Sequence, residues 1–513
     1  MRVLLVYPDY SARYDPTSGD EGFYSEGIAC LSAMLKSRGH TVSLLHYTSL
    51  PTQGEFAEAV KRIAPDLVGF SSRTTIYPDV CKMAEWVKRA QPSAFVITGG
   101  VHITLSAEEA SRSADAMDAL CLGEGEFALA ELCEALAGGH DHTAIPSLWA
   151  RRPDRSWVQN PVRPLVEDLD ILPLPDFAIF DYRRLAAISI HTAPVMLSRG
   201  CPYGCTYCCN HQIKEAYPNK ARYVRFRSPQ RSMEYIRKVL AEYPDTQYLN
   251  FMDNILPLNK KWYYEFIELY EKEIGLPYVC RYRANLVDEE VLRSLKRTGC
   301  YLLHFGVESG DDRILNEVLN RVLKREDMIA AFDACRRIGI PTLTYNMVGL
   351  PTETLREFRE TVRLNARLGS ARTVISIFCP YPATRLYEYA RERNMLHLPP
   401  DFRHEHYLDL PGFPNVQVRF ASRYFPLLTR LRRRLGYLPS PLGGIFRRLI
   451  DWFIVTKLKP HGLLVWTMDT MQGLMSKGKR FLARAHPTVY LGMRNWRVQS
   501  GATGAAIGED LKE

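Results

Sequence analysis

Apolar residues in the first 140 positions fall in short runs separated by helical patterns. The runs are Val3–Tyr7, Val42–Tyr47, Leu67–Phe70, Phe95–Thr98 and Ala119–Leu122. Between them, Phe56, Val60 and Ile63 share one helical face, and Val80, Met83 and Val87 share another. Gly39 follows a helical stretch at 28–36 as its C-terminal cap. Five strands alternating with helices predict a doubly wound parallel sheet, which takes ligands beyond the carboxyl ends of its strands.

Residues 141–190 are rich in Pro, Asp and Arg, with Leu172-Pro173-Leu174-Pro175 at their centre. They are expected to form an extended connecting arm across a surface. A second alternation starts near Pro194. Its strands are Pro194–Ser198, Tyr248–Met252, Tyr278–Tyr282, Tyr301–Val307, Thr342–Val348 and Val374–Phe378, with helical faces such as Trp262, Phe266 and Leu269 between them. Six strand–helix units predict a partial (β/α)6 barrel over residues 191–400, with functional groups at the C-terminal ends of the strands. The whole is an α/β protein with a mainly helical segment at 401–513.

Charge separates that last segment. The chain has 513 residues and a formal net charge of +9, yet residues 401–513 alone carry 18 Lys and Arg against 8 Asp and Glu. Tyr424, Leu428, Leu431 and Leu435 fall at helical spacing beside Arg430, Arg433 and Arg434, and Phe446, Leu449, Ile450 and Phe453 continue the stripe beside Arg447 and Arg448. Such basic amphipathic helices lie on membrane surfaces or pack on a neighbouring domain. The aromatics follow the apolar stripe rather than interleaving with the arginines, which argues against nucleic acid. A Gly/Ala-rich tail after Ser500 reads as disordered. No apolar run reaches the roughly 18–20 residues of a membrane span, and Met1–Pro8 reads as a buried strand rather than a signal peptide. A cytoplasmic protein is expected, with peripheral membrane contact as a further option.

Twelve cysteines are many for such a chain. Three of them, Cys201, Cys205 and Cys208, follow the first barrel strand at C-x3-C-x2-C spacing, flanked by Gly200 and Gly204. Three thiolates at this spacing suit three corners of a [4Fe–4S] cubane and leave one iron open for a ligand. Tyr207, just before Cys208, is placed to shield the cluster or meet an adenine. A zinc site completed by Cys209 or His211 is the alternative reading; otherwise Cys209 is a bystander.

This motif and the strand ends after it resemble the radical S-adenosylmethionine (SAM) superfamily over about Pro194–Arg393. The resemblance implies reductive cleavage of SAM to a 5′-deoxyadenosyl radical. It also implies SAM contacts at Asp253, Arg281, Glu308, Ser309 and Gly349, with Tyr207 beside them. Family members often carry Gly where Thr352 and Ala383 stand here. An external electron donor such as ferredoxin or flavodoxin is implied as well.

The N-terminal domain lacks both G-x-G-x-x-G and a P-loop. Small residues instead gather at three adjacent strand ends: Ser71 and Thr74, Gly99 and Gly100, and Gly123 with Glu124. A broad opening of this kind suits a large flat ligand. Residues 1–140 resemble the cobalamin-binding domain of the class B radical SAM methylases and of the anaerobic magnesium-protoporphyrin cyclase group. The six residues just named are then the expected corrin contacts. The D-x-H-x-x-G motif that places a His on cobalt is absent, and His40, His46 and His102 lack its context.

Together these resemblances imply a cobalamin-dependent methyltransferase acting on an unactivated carbon of a small-molecule or lipid-like substrate. The rivals are a cobalamin-binding cyclase or rearranging enzyme, a tRNA methylthiotransferase using a second cluster near Cys30, Cys81 and Cys121, and a non-catalytic membrane-surface protein.

Overall fold

In the computed structural model, residues 1–10, 22–185, 191–397, 407–439, 442–456 and 460–471 are described. The N-terminal sheet runs β1 (Arg2–Pro8), β2 (Thr41–Tyr47), β3 (Leu67–Ser71), β4 (Phe95–Gly99) and β5 (Ala119–Cys121), all parallel in the order β2-β1-β3-β4-β5. Its helices are α1 (Glu26–Ser37), α2 (Gln53–Ile63), α3 (Tyr77–Ala90), α4 (Val101–Arg112) and α5 (Glu126–Gly138). Helix starts follow local chemistry. Ser25 caps α1 by accepting from the Ile28 N–H, and Thr52 with Glu55 forms a reciprocal capping box on α2.

Residues 141–190 differ from the expected arm. β6 (Leu148–Arg151) and β7 (Trp157–Gln159) add two antiparallel strands to β5, making a seven-stranded sheet. Farther along, Phe177 and Phe180 are buried, Asp176 accepts from Ser32 Oγ at 2.6 Å, and the Tyr243 hydroxyl donates to the Phe177 carbonyl at 3.2 Å. The segment is mortar between two domains, not a strap over them. One hydrophobic core runs from Leu5, Ile97 and Leu132 through Phe177 into Val195, Tyr235 and Phe251.

The second sheet is the expected partial barrel. Its strands β8 (Thr192–Val195), β11 (Tyr248–Phe251), β12 (Tyr278–Tyr282), β13 (Cys300–Glu308), β14 (Thr342–Val348) and β15 (Arg372–Ile377) are all parallel and lie side by side in chain order. Between β8 and β11 a two-stranded antiparallel ladder, β9 (Ser198–Arg199) with β10 (Arg225–Phe226), pinches the neck of the cysteine loop. The helices of this half are α6 (Cys209–Glu215), α7 (Pro229–Glu242), α8 (Lys260–Glu273), α9 (Glu289–Arg297), α10 (Arg325–Ile338), α11 (Leu355–Leu368) and α12 (Arg385–Glu392).

Two helices follow, α13 (Asn415–Leu435) and α14 (Leu442–Val455). α13 packs on α11 and β15 through Phe420, Ala421, Phe425 and Leu428. The expected stripe is therefore rotated: Leu428 is buried, but Leu431 is exposed. The Gly/Ala-rich tail lies outside the described residues. Among the described residues, no helix is long and apolar enough to cross a membrane.

Candidate functional site

The cysteine loop begins at Gly200, whose φ of +91° and closeness to the Tyr223 carbonyl leave no room for a side chain. Two barrel residues hold its approach. Asp253 Oδ1 accepts from the Leu197 N–H at 3.0 Å, the Ser198 N–H at 2.6 Å and Ser198 Oγ at 2.5 Å, while Asn254 Nδ2 donates to the Gly200 carbonyl at 3.0 Å. Asp253 Oδ2 is buried without a partner, and burial pushes the carboxyl up to about 6. The far side rests on the segment after β13. Thr206 Oγ1 donates to the Val318 carbonyl at 2.6 Å and Asn320 Nδ2 to that of Gly204 at 2.9 Å. The Arg283 guanidinium lies 3.7 Å over the Tyr203 ring.

Within the loop, Cys205 is buried and Cys201 and Cys208 are half-buried. N–H groups face two of the sulfurs: Arg321 Nη1 lies 3.8 Å from Cys205 Sγ, and Asn210 Nδ2 lies 3.7 Å from Cys208 Sγ. The neighbouring Cys209 thiol, donating to Cys208, draws the latter down to about 6. Such donors favour thiolates and tune clusters that thiolates hold. Among the described residues, no group of three or more His, Cys, Asp or Glu side chains is gathered around one ion position. A cubane offers a separate iron to each sulfur, and the three thiols fit that donor set.

Above the loop, Glu308 ends β13 with a left-handed φ of +67°, a strain that collects at functional sites. Its carboxylate accepts from the Tyr207 hydroxyl at 3.1 Å, and Arg321 Nη1 donates to the same hydroxyl at 3.0 Å. Burial pushes Glu308 up, against the pull of Arg321. Ser309, in contrast, is fully buried; its Oγ accepts from the Asp311 N–H and lies near Thr361 Oγ1. It braces β13 against α11 instead of facing the opening, a correction to the expected SAM contact. Gly349, with φ +79°, gives its N–H to Glu353 Oε2 at 2.7 Å. Thr352 and Ala383 hold φ of +65° and +64°, the conformation in which glycine is cheapest. Arg281 lies on the inner face of the barrel, donating to the Phe251 carbonyl at 2.8 Å.

The N-terminal opening is built at the ends of β3 and β4. Ser71, Thr74, Gly99 and Gly100 meet there. A Cβ on Gly100, at φ +105°, would come within 2.7 Å of the Ser72 carbonyl, and Ser72 Oγ pairs with Thr98 Oγ1 at 2.6 Å. Gly123 and Glu124 stand apart from this group. A Cβ on Gly123 would strike the Tyr217 hydroxyl. Glu124 is taken by Arg225 at 2.7 and 3.0 Å and by Arg199 at 3.1 Å, while Arg199 also holds Glu126 at 2.5 Å. Gly123 and Glu124, expected at the corrin, lie instead at a domain interface. The ion network clamps both neck residues of the cysteine loop to the N-terminal domain, and α4 packs against α6 beside it. Three histidines are otherwise engaged: His102 Nδ1 with Thr74 Oγ1 at 3.3 Å, His46 with Asp9 at 3.0 Å, and His40 with the N-terminus at 3.4 Å. Cys30 in α1, Cys81 in α3 and Cys121 in β5 form no common site.

Residues 195–364 match the family model of the radical SAM superfamily, and residues 23–133 match that of the B12 binding domain. The chain carries a radical SAM domain and a B12-binding domain. An uncharacterised methyltransferase of Pyrococcus horikoshii is 29% identical to it over 400 residues, 77% of this chain and 84% of the relative. The anaerobic magnesium-protoporphyrin IX monomethyl ester cyclase of Rubrivivax gelatinosus is 24% identical, over 76% of this chain and 70% of the relative. Among solved structures, the cobalamin-dependent SAM radical enzyme OxsB with aqua-cobalamin and SAM bound superposes with a TM-score of 0.65 at 15% identity, covering 92% of this chain and 75% of that one. With these two domains the cofactors are a [4Fe–4S] cluster, SAM and cobalamin.

Sequence reasoning missed Arg321, Glu353 and the Arg199 network. Glu353 had a signal, a carboxylate four residues past the Gly349 turn. Arg321 had none, since it lies 116 residues from the Cys205 sulfur it faces.

Proposed function

We propose that this radical SAM protein is a cobalamin-dependent methyltransferase that alkylates an unactivated carbon of a small molecule. When bound, the three cofactors supply reductive cleavage of SAM and a transferable methyl group. The chain does the rest. Cys201, Cys205 and Cys208 hold the cluster, while Asn210 and Arg321 aim N–H groups at the sulfurs. Glu308, Tyr207 and Gly349 line the SAM end, while Asp253, expected there from the sequence, is buried and holds the approach to the cysteine loop through Leu197 and Ser198. Ser71, Thr74, Gly99 and Gly100 shape the corrin cradle. The observation that carries this reading is the clamp. Glu124 and Glu126 grip Arg199 and Arg225 at the neck of the cysteine loop, which fixes the two cofactor ends side by side, and proximity is what a two-cofactor transfer needs.

The test is anaerobic incubation with SAM, a strong reductant, cobalamin and candidate substrates. Methyl transfer yields S-adenosylhomocysteine together with 5′-deoxyadenosine. Formation of 5′-deoxyadenosine alone with a cyclised product favours the second reading, supported by the cyclase relative. The electron is supplied by a small redox protein such as ferredoxin or flavodoxin in the cytoplasm.

Peripheral membrane contact belongs to the same proposal. α14 exposes Leu442, Ile445, Phe446, Leu449 and Trp452, with Arg447 and Arg448 beside them. An apolar face with basic neighbours suits an anionic lipid surface.

A further inference from the structure

Between β13 and α10 the chain bends in a way that its side chains alone would not choose. Asn320 and Val322 both hold left-handed backbone, with φ of +48° and +47°. For Val, whose branched Cβ crowds that region, the conformation is costly. The bend turns the side chain between them, Arg321, inward. Val322 is 72% exposed, whereas Arg321 is 9% exposed. An apolar side chain outside and a guanidinium inside is the reverse of what burial favours. The bend is also tied down: Asn320 Nδ2 donates to the Gly204 carbonyl at 2.9 Å, and Arg283 donates to the Arg321 carbonyl.

The buried guanidinium has hydrogen bonds but no close countercharge. Nη2 donates to the Gly306 carbonyl and Nη1 to the Tyr207 hydroxyl at 3.0 Å. Nε is buried without a partner. The carboxylate beside it, Glu308 Oε1, lies 3.9 Å from Nη1, beyond a hydrogen bond. Cys205 Sγ is as near, at 3.8 Å. A second cation stands behind the first. Arg283 is buried and lies 3.7 Å over the Tyr203 ring, inside the cysteine loop. Its Nε donates to Asn285 Oδ1 at 2.8 Å and its Nη2 to the Arg321 carbonyl, and neither acceptor is charged. It is close enough to feel both Arg321 and Cys205.

Two buried guanidinium groups against one distant carboxylate leave positive charge to be balanced, and unbalanced charge in an interior is expensive. The cluster supplies the balance. A cubane core held by three thiolates is a net anion, and reduction adds one more negative charge. A fixed cation beside a ligating sulfur therefore stabilises the reduced form more than the oxidised one. The planar fork of Arg321, anchored on Gly306 and Tyr207, holds that charge in place where a flexible ammonium would not.

We propose that Arg321, backed by Arg283, is the countercharge of the cluster: it acts through Cys205 and raises the cluster's reduction potential. The electron comes from an external reductant, and no bond forms or breaks. This deepens the radical SAM reading and rests on it.

The test is a redox titration of the full chain reconstituted with the cluster alone, followed by the paramagnetic resonance of the reduced cluster. Arg321→Gln should make reduction roughly tenfold less favourable, a midpoint lower by about 59 mV for one electron. Arg283→Gln should shift it in the same direction by less. Arg321→Lys, which keeps the charge, should recover part of the loss. Lys324→Gln removes an exposed cation from the same segment and should leave the midpoint where it was. An unmoved midpoint in Arg321→Gln overturns the proposal, as does an equal shift in Lys324→Gln. If Arg321→Gln does not fold or hold its cluster, Arg283→Gln decides, and an unmoved midpoint there overturns the proposal as well. A wild-type chain that takes up no cluster removes the radical SAM reading; a wild-type cluster with a flat series removes only this proposal.

Discussion

Arg199 Nη2 donates to Glu126 Oε1 at 2.5 Å across the boundary between the two domains. Two residues later comes Cys201. The same guanidinium reaches Glu124, which also holds Arg225. Removing one partner of a buried ion pair leaves the other charge stranded, at about 3–5 kcal/mol. Glu124→Gln should therefore lower stability by about 3 kcal/mol in urea denaturation. Glu131→Gln, which breaks the more exposed pair with Arg163, should cost under about 1 kcal/mol. Equal losses would show that the network is not what holds the domains.

The cluster assignment rests on three sulfurs. Cys201→Ala, Cys205→Ala and Cys208→Ala should each abolish 5′-deoxyadenosine formation and lower bound iron. Cys209→Ala should retain both, because its thiol only donates to Cys208. Full activity in any of the first three removes that ligand.

Glu353 is fully buried, and burial pushes its carboxyl from 4.5 up to about 8. The folded value lies above the unfolded one, so the folded chain holds this proton more tightly. The resulting stabilisation is complete below about pH 4.5 and is lost as pH rises through 8. Relative to Glu353→Gln, the wild type should lose stability between pH 5 and 8 by at most about 1.4 kcal/mol per pH unit. Urea titrations of both at four pH values check this, and parallel profiles would contradict it.

Cobalamin should bind without a protein imidazole on cobalt. His102 is buried against Tyr77, and burial draws it down to about 4. The paramagnetic resonance spectrum of the bound Co(II) form should be the same in the wild type and in His102→Ala. A nitrogen splitting that disappears in this variant would assign the ligand.

Vesicles test the α14 face. The protein should sediment with anionic vesicles and release as salt rises, since each basic residue near such a surface contributes about 1 kcal/mol. Leu449→Glu with Trp452→Glu should abolish sedimentation. Binding unaffected by these changes would place the contact elsewhere.

The six barrel strands and the five parallel strands before them were legible because periodicity and strand length are local properties. β6 and β7 escaped because Leu148–Arg151 and Trp157–Gln159 are short and sit among Pro and Arg; only pairing with β5 makes them strands. In α13 two apolar registers fit the sequence, and contact with α11 selects the one through Phe420 and Phe425. Glu124 was read as a corrin contact because its partner Arg225 is 101 residues away, a distance over which no pattern carries information. Cys201, Cys205 and Cys208 were legible for the opposite reason, since their spacing is itself the geometry. Ser309 shows the limit: its place in the motif was clear, but its direction was decided by α11.

The clamp on the cysteine loop also sets an order of events on the ribosome. Glu124 and Glu126 belong to the domain that emerges first, and domains fold as units from the N-terminus during synthesis. The acidic pair is in place before Arg199 and Arg225 appear, so the neck β9–β10 closes onto a finished surface. A circular permutant beginning near Thr192 would reverse that order: its cysteine loop would emerge with nothing to close against, exposing three thiols until the N-terminal domain followed.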